Sequence, residues 1–386
     1  MKITEVEIHD LQMDETRRGW NPVIVRVNTD EGVSGVGEVA LAYGVGSGAG
    51  IGMVRDLAEA FVLGEDPFQI ERLWDAMFRG TFWGQGGGPV VYGGMSALDE
   101  ALWDIKGRAL GVPVYELLGG KCRDRLRVYA NGWYHGHVEP DEYAEWALRV
   151  QEDGYTATKF DPFAVAADGV EGHVPRAPGG DRIDLAYDRV RAVRDAVGPE
   201  FNILVEVHGN LGTASAIEAG KRLEELDPFF YEEPVDAMNV ESMKKVSDRV
   251  DIPIAAGERL YTRYGFRPYV ERQAIDILQP DLGLAGGITE TKKIAAHAET
   301  YNLHVQPHNC ASAVATFPAV HLDAAITNFI IQEIFPYRTG DSVDIVANPL
   351  EERVVDGYLE VPSEPGLGIE LNEEVLSRYP CIRVKP

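Results

Sequence analysis

Hydrophobic positions along this chain follow two rhythms. Near the start, residues 1–9, 22–28 and 33–39 alternate apolar and polar positions as half-buried strands do, and Thr29-Asp30-Glu31-Gly32 supplies a turn between the last two. Helical periodicity follows over 53–62, 69–77 and 95–110, and Gly111-Val112-Pro113 stops the last of these. A small antiparallel sheet beside a few helices predicts an α+β module over residues 1–122. Thereafter short apolar runs alternate with helical stretches: 126–130, 157–160, 202–207, 229–231, 252–256, 274–278, 304–306 and 329–332. Eight such runs predict an α/β fold, a (β/α)8 barrel over residues 123–355. Residues 356–386, with Pro362, Pro365 and Gly366, read as a strand-and-turn tail that packs back on the first module.

Composition narrows the class. Hydrophobic residues make up 45% and charged residues 25%, a globular balance. No apolar run reaches the ~18 residues a membrane-spanning helix needs. The first residues lack the basic-then-apolar layout of a secretion signal, so a soluble, cytoplasmic protein is expected, with no membrane partner. Sixty-two acidic residues against thirty-six basic ones leave a net charge of −26. That balance argues against a nucleic-acid partner, because such binding runs on phosphate neutralisation by Lys and Arg. It suits a salt-rich cytoplasm, where screening removes self-repulsion, and ten Lys against twenty-six Arg lean the same way. Cys122, Cys310 and Cys381 form no CxxC pair and read as free thiols.

The chemistry sits at the ends of the barrel runs: Lys159, Glu206, Glu232, Glu258, Asp281, His308 and Glu333. Gaps from Glu206 onward are 26, 26, 23, 27 and 25 residues, about one βα unit each in a ~250-residue barrel. Titratable groups therefore recur at the C-terminal rim, where barrel active sites are built. Glu206, Glu232 and Glu258 on consecutive strands would repel one another unless a cation held them, and oxygen-only ligation suits Mg²⁺ or Mn²⁺. Salt bridges to Lys or Arg across the rim are the plainer alternative. His208, two residues past Glu206 on an extended strand, would share its face and stand beside the metal. Asp281 and His308 end neighbouring strands; a carboxylate beside an imidazole fixes its tautomer and raises its basicity, as a general base requires.

Taken together these motifs resemble the enolase superfamily, mandelate racemase-like subgroup. They are Glu206-Val-His208-Gly-Asn210, Tyr231-Glu232-Glu233-Pro234, Gly257-Glu258-Arg259-Leu260, Gln279-Pro280-Asp281 and Pro307-His308-Asn309. Within it the chain is similar to the acid sugar dehydratases of D-gluconate and D-galactonate type. Tyr129-Ala-Asn131-Gly-Trp133-Tyr134, Lys159-Phe160-Asp161 and Pro365-Gly-Leu-Gly-Ile369 carry that likeness, with Trp103-Asp-Ile-Lys-Gly107 in the first module.

The resemblance implies a capping module completed by the tail, a Mg²⁺ cofactor on Glu206, Glu232 and Glu258, and Glu233 just behind them. It implies that His308 with Asp281 removes the C2 proton of a sugar acid, that His208 protonates the departing 3-hydroxyl, and that Glu333 and Lys159 stabilise the enediolate. It also implies a homo-oligomer. Lys159, Asp161, Asn210 and Trp20 are the expected substrate contacts, Asp161 toward distal hydroxyls. Racemases of the subgroup carry Lys-x-Lys at the second strand; here Asp161 replaces the second Lys, which disfavours two-base racemisation.

A loose GxGxx(G/A) pattern at Gly44, Gly46 and Ala49 is not followed by a second parallel strand, so it is not read as nucleotide binding. Residues 81–88 are expected to form a substrate loop, with 14–20 as its companion. The rival functions are a sugar-acid epimerase or lactone cycloisomerase using the same base, and a module that only binds the acid.

Overall fold

The computed structural model describes residues 1–13, 19–167, 169 and 174–386; most of the expected companion loop, 14–18, lies outside them. Three alternating segments form β1 (Ile3–Asp10), β2 (Val23–Thr29) and β3 (Ser34–Val39), paired antiparallel. Their inner faces pack on helices Ser47–Leu57, Ile70–Gly80 and Pro89–Leu110. The last helix begins six residues before the periodicity suggested. Pro89 occupies its first turn, where a missing N–H costs nothing, and Gly94 lets it close on Met53, whose Cγ would lie 2.8 Å from an added Cβ. Gly111, with φ 69°, ends it in the left-handed conformation that glycine adopts without strain.

The barrel strands are β4 (Arg125–Ala130), β5 (Ala157–Phe160), β6 (Asn202–Glu206), β7 (Phe230–Glu232), β8 (Ile254–Ala256), β9 (Ile277–Leu278), β10 (His304–Val305) and β11 (Gln332–Ile334). Neighbours pair in parallel from β4 to β10, and β11 pairs with β4. A parallel bridge between Val305 and Phe329 joins β10 to the run before β11 and closes the ring. Helices fill the seven connections, but β11 is followed by short helical segments of four residues or fewer, the first of them Asp341–Asp344. The fold is an α/β barrel beside an antiparallel capping sheet.

Tyr129, Ala157, Leu204, Phe230, Ala255, Ile277 and Ile331 form one buried cluster that fills the barrel interior. Strand side chains alternate, so the residue two further on faces the same way at the mouth. That rule delivers Asn131, Lys159, Glu206, Glu232 and Glu333.

In the tail, β12 (Tyr358–Glu360) pairs antiparallel with the start of β4, and β13 (Cys381–Val384) joins β1 as the fourth strand of the first sheet. Between them Leu367 N donates to Asp104 on the long helix, 2.8 Å away. That helix also bonds outward in both directions. Its buried Glu100 accepts from Glu38 N of β3 at 3.0 Å, and Asp99 accepts from Thr289 N of the barrel, also at 3.0 Å.

Candidate active site

Lys159 lies at the centre of the barrel mouth. Its ammonium is 2.8 and 2.9 Å from the two oxygens of Glu232, 2.9 Å from Glu333 Oε1 and 3.5 Å from Glu206 Oε2. Burial works against the charge, yet these carboxylates raise its pKa well above the ordinary value. Glu333 is equally engaged: Asn131 Nδ2 donates to Oε1 at 2.7 Å and Asn309 N to Oε2 at 2.9 Å. Despite burial, Lys159 and His308 lower its pKa, so Glu333 stands here as an anion accepting from three donors.

Glu206 directs its two oxygens differently. Oε1 accepts from the N–H groups of Val207 (3.0 Å) and His208 (2.6 Å), while Oε2 is buried with no hydrogen bond. The backbone turn makes this possible. The strand ends at Glu206 and His208 adopts φ 52°, curling its N–H back onto the carboxylate, so His208 is not on the extended strand that the sequence suggested. Glu258 arrives by a different device. Alternation from Ala255 would aim residue 257 at the mouth; Gly257, at φ 155°, breaks the alternation and Glu258 joins the other two. Among the described residues, ligand atoms of Glu206, Glu232 and Glu258 lie within 4.8 Å of one another.

These residues fit a divalent cation. Burial pushes Glu232 well above the usual carboxylate range, and the neighbouring Glu206 and Glu333 add to it against the pull of Lys159. Glu206 Oε2, 3.5 Å from the Lys159 ammonium, is buried with no hydrogen bond and is left as an acceptor that a cation would satisfy. All three donors are hard oxygens, the set that suits Mg²⁺ or Mn²⁺.

Two histidines flank the carboxylates, each backed by an aspartate. Asp281 Oδ2 is 2.7 Å from His308 Nδ1, and Asp281 Oδ1 accepts from Gly283 N at 2.9 Å, capping the next helix. His308 Nε2 then faces Glu258 Oε2 at 3.2 Å. Burial disfavours the imidazolium, but Glu258, Glu333 and Asp281 outweigh it and the pKa rises well above the usual value. In return, although burial opposes it, the two imidazoles help hold Glu258 down at about 2.

On the opposite side Asp161 Oδ2 is 2.7 Å from His208 Nδ1, and Asp161 Oδ1 accepts from Phe163 N at 2.7 Å. Asp161 is 1% exposed. Both its oxygens are engaged by these partners. Glu206 and Asp161 raise the His208 pKa well above its usual value, against the partial desolvation of a ring that is still 43% accessible.

Exposure divides the site. The side chains of Glu206, Glu232, Glu333 and Lys159 are at most 3% accessible and form a floor, while Glu258 (14%), His308 (13%) and His208 (43%) face outward. Glu233, with φ 40°, is buried beneath Arg259, which pairs with it. Asn210 donates its side-chain amide to Val207 O at 2.9 Å. Trp20 stacks on the Arg338 guanidinium, 3.9 Å from ring centre to Cζ, with Phe335 at 4.1 Å on that same guanidinium. Phe82 and Trp83, in the expected substrate loop, are 74% and 85% exposed.

Sequence reasoning passed over Asn131, Arg338 and Glu38. Asn131 had a signal, since it stands two residues past interior Tyr129 as Lys159 stands past Ala157. Arg338 and Glu38 had none, because tertiary contacts alone bring them to the site.

Comparison with known proteins accords with this geometry. Residues 4–119 match the N-terminal domain model of mandelate racemase / muconate lactonizing enzyme, and residues 142–375 match the enolase C-terminal domain-like model. The chain belongs to the mandelate racemase / muconate lactonizing enzyme family. It is 36% identical over 380 residues to the D-gluconate dehydratase of Thermoproteus tenax, covering 98% of this chain and 74% of that one. It is 37% identical over 358 residues to the D-galactonate dehydratase of Verminephrobacter eiseniae, covering 92% and 90%. A crystal structure of an enolase-superfamily member from Salmonella typhimurium superposes with TM-score 0.94 at 44% identity, over all of both chains. That of a mandelate racemase/muconate lactonizing enzyme from Jannaschia gives 0.89 at 34%, over 98% and 97%. The chain is therefore an enzyme of this family, and no helix among the described residues is long and apolar enough to cross a membrane.

Proposed function

We propose that this protein is a hydro-lyase that dehydrates an aldonic acid of D-gluconate or D-galactonate type to the 2-keto-3-deoxy acid. The observation that carries the reading is the pair of Asp–His dyads on opposite sides of three converging glutamates. The similarity to enzymes named for that reaction over most of the chain supports it.

His308, oriented by Asp281, takes the proton at C2. Its Nδ1–H is fixed on the aspartate, so Nε2 is the nitrogen facing the site, and it would be free to accept a proton once a cation takes up the Glu258 charge that otherwise favours the imidazolium. A proton beside a carboxylate is too weakly acidic for imidazole unless the developing dianion is stabilised. Glu206, Glu232 and Glu258 would hold a Mg²⁺ ion whose charge supplies that stabilisation. Lys159, fixed by Glu232 and Glu333, adds a preorganised positive charge beneath the substrate carboxylate. His208, held as imidazolium by Asp161, gives its Nε2 proton to the leaving 3-hydroxyl. With Asp161 so engaged, the second strand offers no base for the opposite face, and elimination follows in place of racemisation.

Residues 1–122 and 356–386 act in this reading as the cap that covers the mouth of the barrel at 123–355. A homo-oligomer and a salt-rich cytoplasm belong to the same proposal, the latter supported by the net charge of −26.

The test is a panel of D-gluconate, D-galactonate and D-xylonate with Mg²⁺ at high salt, scored for 2-keto-3-deoxy product. A strong hit supports the reading. No product with persistent C2 deuterium exchange would replace dehydration by epimerisation or cycloisomerisation, and silence in both would leave a module that only binds.

A further inference from the structure

The segment that carries His308 continues to Ser312, which caps helix Ala313–Ala325 through Val314 N. Three groups grip it. Glu333 takes Asn309 N, Arg338 donates to Ala311 O, and Glu38 takes Ser312. The last comes from the other sheet. Glu38 is the fifth residue of β3, fully buried, and its Oε1 accepts from Ser312 N at 3.0 Å while its Oε2 accepts from Ser312 Oγ at 2.6 Å.

The same stretch of chain also meets the other half of the dyad. Ala40 N donates to Gly283 O at 3.3 Å, and Gly283 is the residue whose N–H holds Asp281 Oδ1. The packing there leaves no slack: a Cβ on Gly283 would stand 2.6 Å from Ala40 Cβ and 3.2 Å from Glu38 O. Glu38 is itself braced, its N–H donating to the buried Glu100.

We propose that Glu38 is a positioning residue for the His308–Asp281 base, setting the register of the 308–312 segment from the capping module. A carboxylate with two acceptor oxygens matches the N–H and O–H of Ser312 together, which an apolar residue in the same space would leave unmet. The cap then fixes the general base as well as covering the site. Misplacement of a reacting group by about 1 Å costs on the order of a hundredfold in rate, so a small shift in this anchor reaches the chemistry.

The inference rests on the reading of His308 as the C2 base, and its test separates the two. With the aldonate that the wild type turns over, Glu38→Ala is expected to lower kcat tenfold or more with KM within twofold. The primary isotope effect with C2-deuterated substrate should rise, because proton abstraction becomes slower relative to later steps. Glu38→Gln, which keeps an oxygen for Ser312, should recover most of kcat. Ser312→Ala leaves Glu38 in place and serves if Glu38→Ala fails to fold; it should show the same signature in smaller size. An unchanged isotope effect in both Glu38→Ala and Ser312→Ala, with kcat falling only as the folded fraction falls, would overturn the positioning role while leaving the dehydratase intact. A wild type inert on every aldonate, without C2 exchange, would overturn the function and this inference with it.

Discussion

Asp161→Asn offers the sharpest separation of the two halves of the reaction. In the wild type Oδ1 is occupied by Phe163 N and Oδ2 by His208 Nδ1, both at 2.7 Å. Asparagine keeps the oxygen on Phe163, so its NH2 falls opposite His208 Nδ1. Two donors cannot face each other, and the imidazolium needs a proton on both nitrogens. The variant therefore disfavours the one form of His208 that can protonate a leaving hydroxyl. The lost interaction is a charge-assisted hydrogen bond, about 1.5–3 kcal/mol. At about 1.36 kcal/mol per tenfold in rate, elimination should fall by about 10- to 100-fold. His308 and Asp281 follow other strands, β10 and β9, and pair with each other, so abstraction at C2 persists.

The assay is NMR in D2O with saturating Mg²⁺, following deuterium at C2 of remaining substrate and the appearance of 2-keto-3-deoxy acid. The ratio of exchange to elimination should rise about 10- to 100-fold, in line with the loss of that hydrogen bond. A melting curve guards against misfolding. If exchange and elimination fall in equal proportion, or if elimination is unaffected, Asp161 does not support a proton donor and the two-dyad mechanism is wrong.

Mg²⁺ at 100 times its Kd should stabilise the fold by about 2.7 kcal/mol, read as a rise in melting temperature that chelation reverses and Glu206→Gln abolishes; a flat response in the wild type would refute the cation site. Gly257→Ala puts a Cβ 2.7 Å from the backbone of Gln279 at φ 155°, so Glu258 must shift; Mg²⁺ affinity should drop at least about tenfold by thermal-shift titration, and wild-type affinity would show that Gly257 does not aim Glu258. His321 is buried between Tyr115 N and Leu367 O, and burial pushes its pKa down to about 4. Because that lies below the unfolded value of about 6.5, the unfolded chain binds the proton first; this contribution is whole above pH 6.5 and is lost as pH falls toward 4. Urea unfolding at pH 5 should show the wild type losing on the order of 2 kcal/mol, relative to pH 7.5, that His321→Gln does not lose. Equal pH dependence in the two proteins would refute it. The comparison must be differential, since burial pushes Glu38 and Asp99 up to about 7 and they act with the opposite sign.

What was legible in the sequence depended on how locally each feature is determined. Lys159, Glu206 and Glu232 could be placed because strand alternation and the βα repeat are local periodicities, and the barrel interior obeys both. Glu333 was set just past its run yet sits inside β11, because the run before it joins the ring through only an isolated bridge at Phe329. The left-handed turn at His208 could not be read, since a positive φ at a non-glycine residue is imposed by the contacts around it. Glu38 reaches Ser312 across 274 positions, and no window of sequence joins them.

The Asp161–His208 pair is a different kind of omission, because its signal was present. Asp281 was matched to His308 on the ground that neighbouring strands bring their ends together. The strands that precede Asp161 and His208, β5 and β6, are neighbours too, paired Lys159 to Leu204 and Phe160 to Val205, and each residue lies two past an inward-facing group at its strand end. Strand adjacency therefore pointed to the second dyad as well as to the first. The lysine that racemases carry at this position bears on the base that Asp161 is not, whereas the adjacent imidazole is the group that needs its anion. A buried carboxylate one strand away from a histidine at the same phase calls first for a test of that pairing, and only then for a substrate contact.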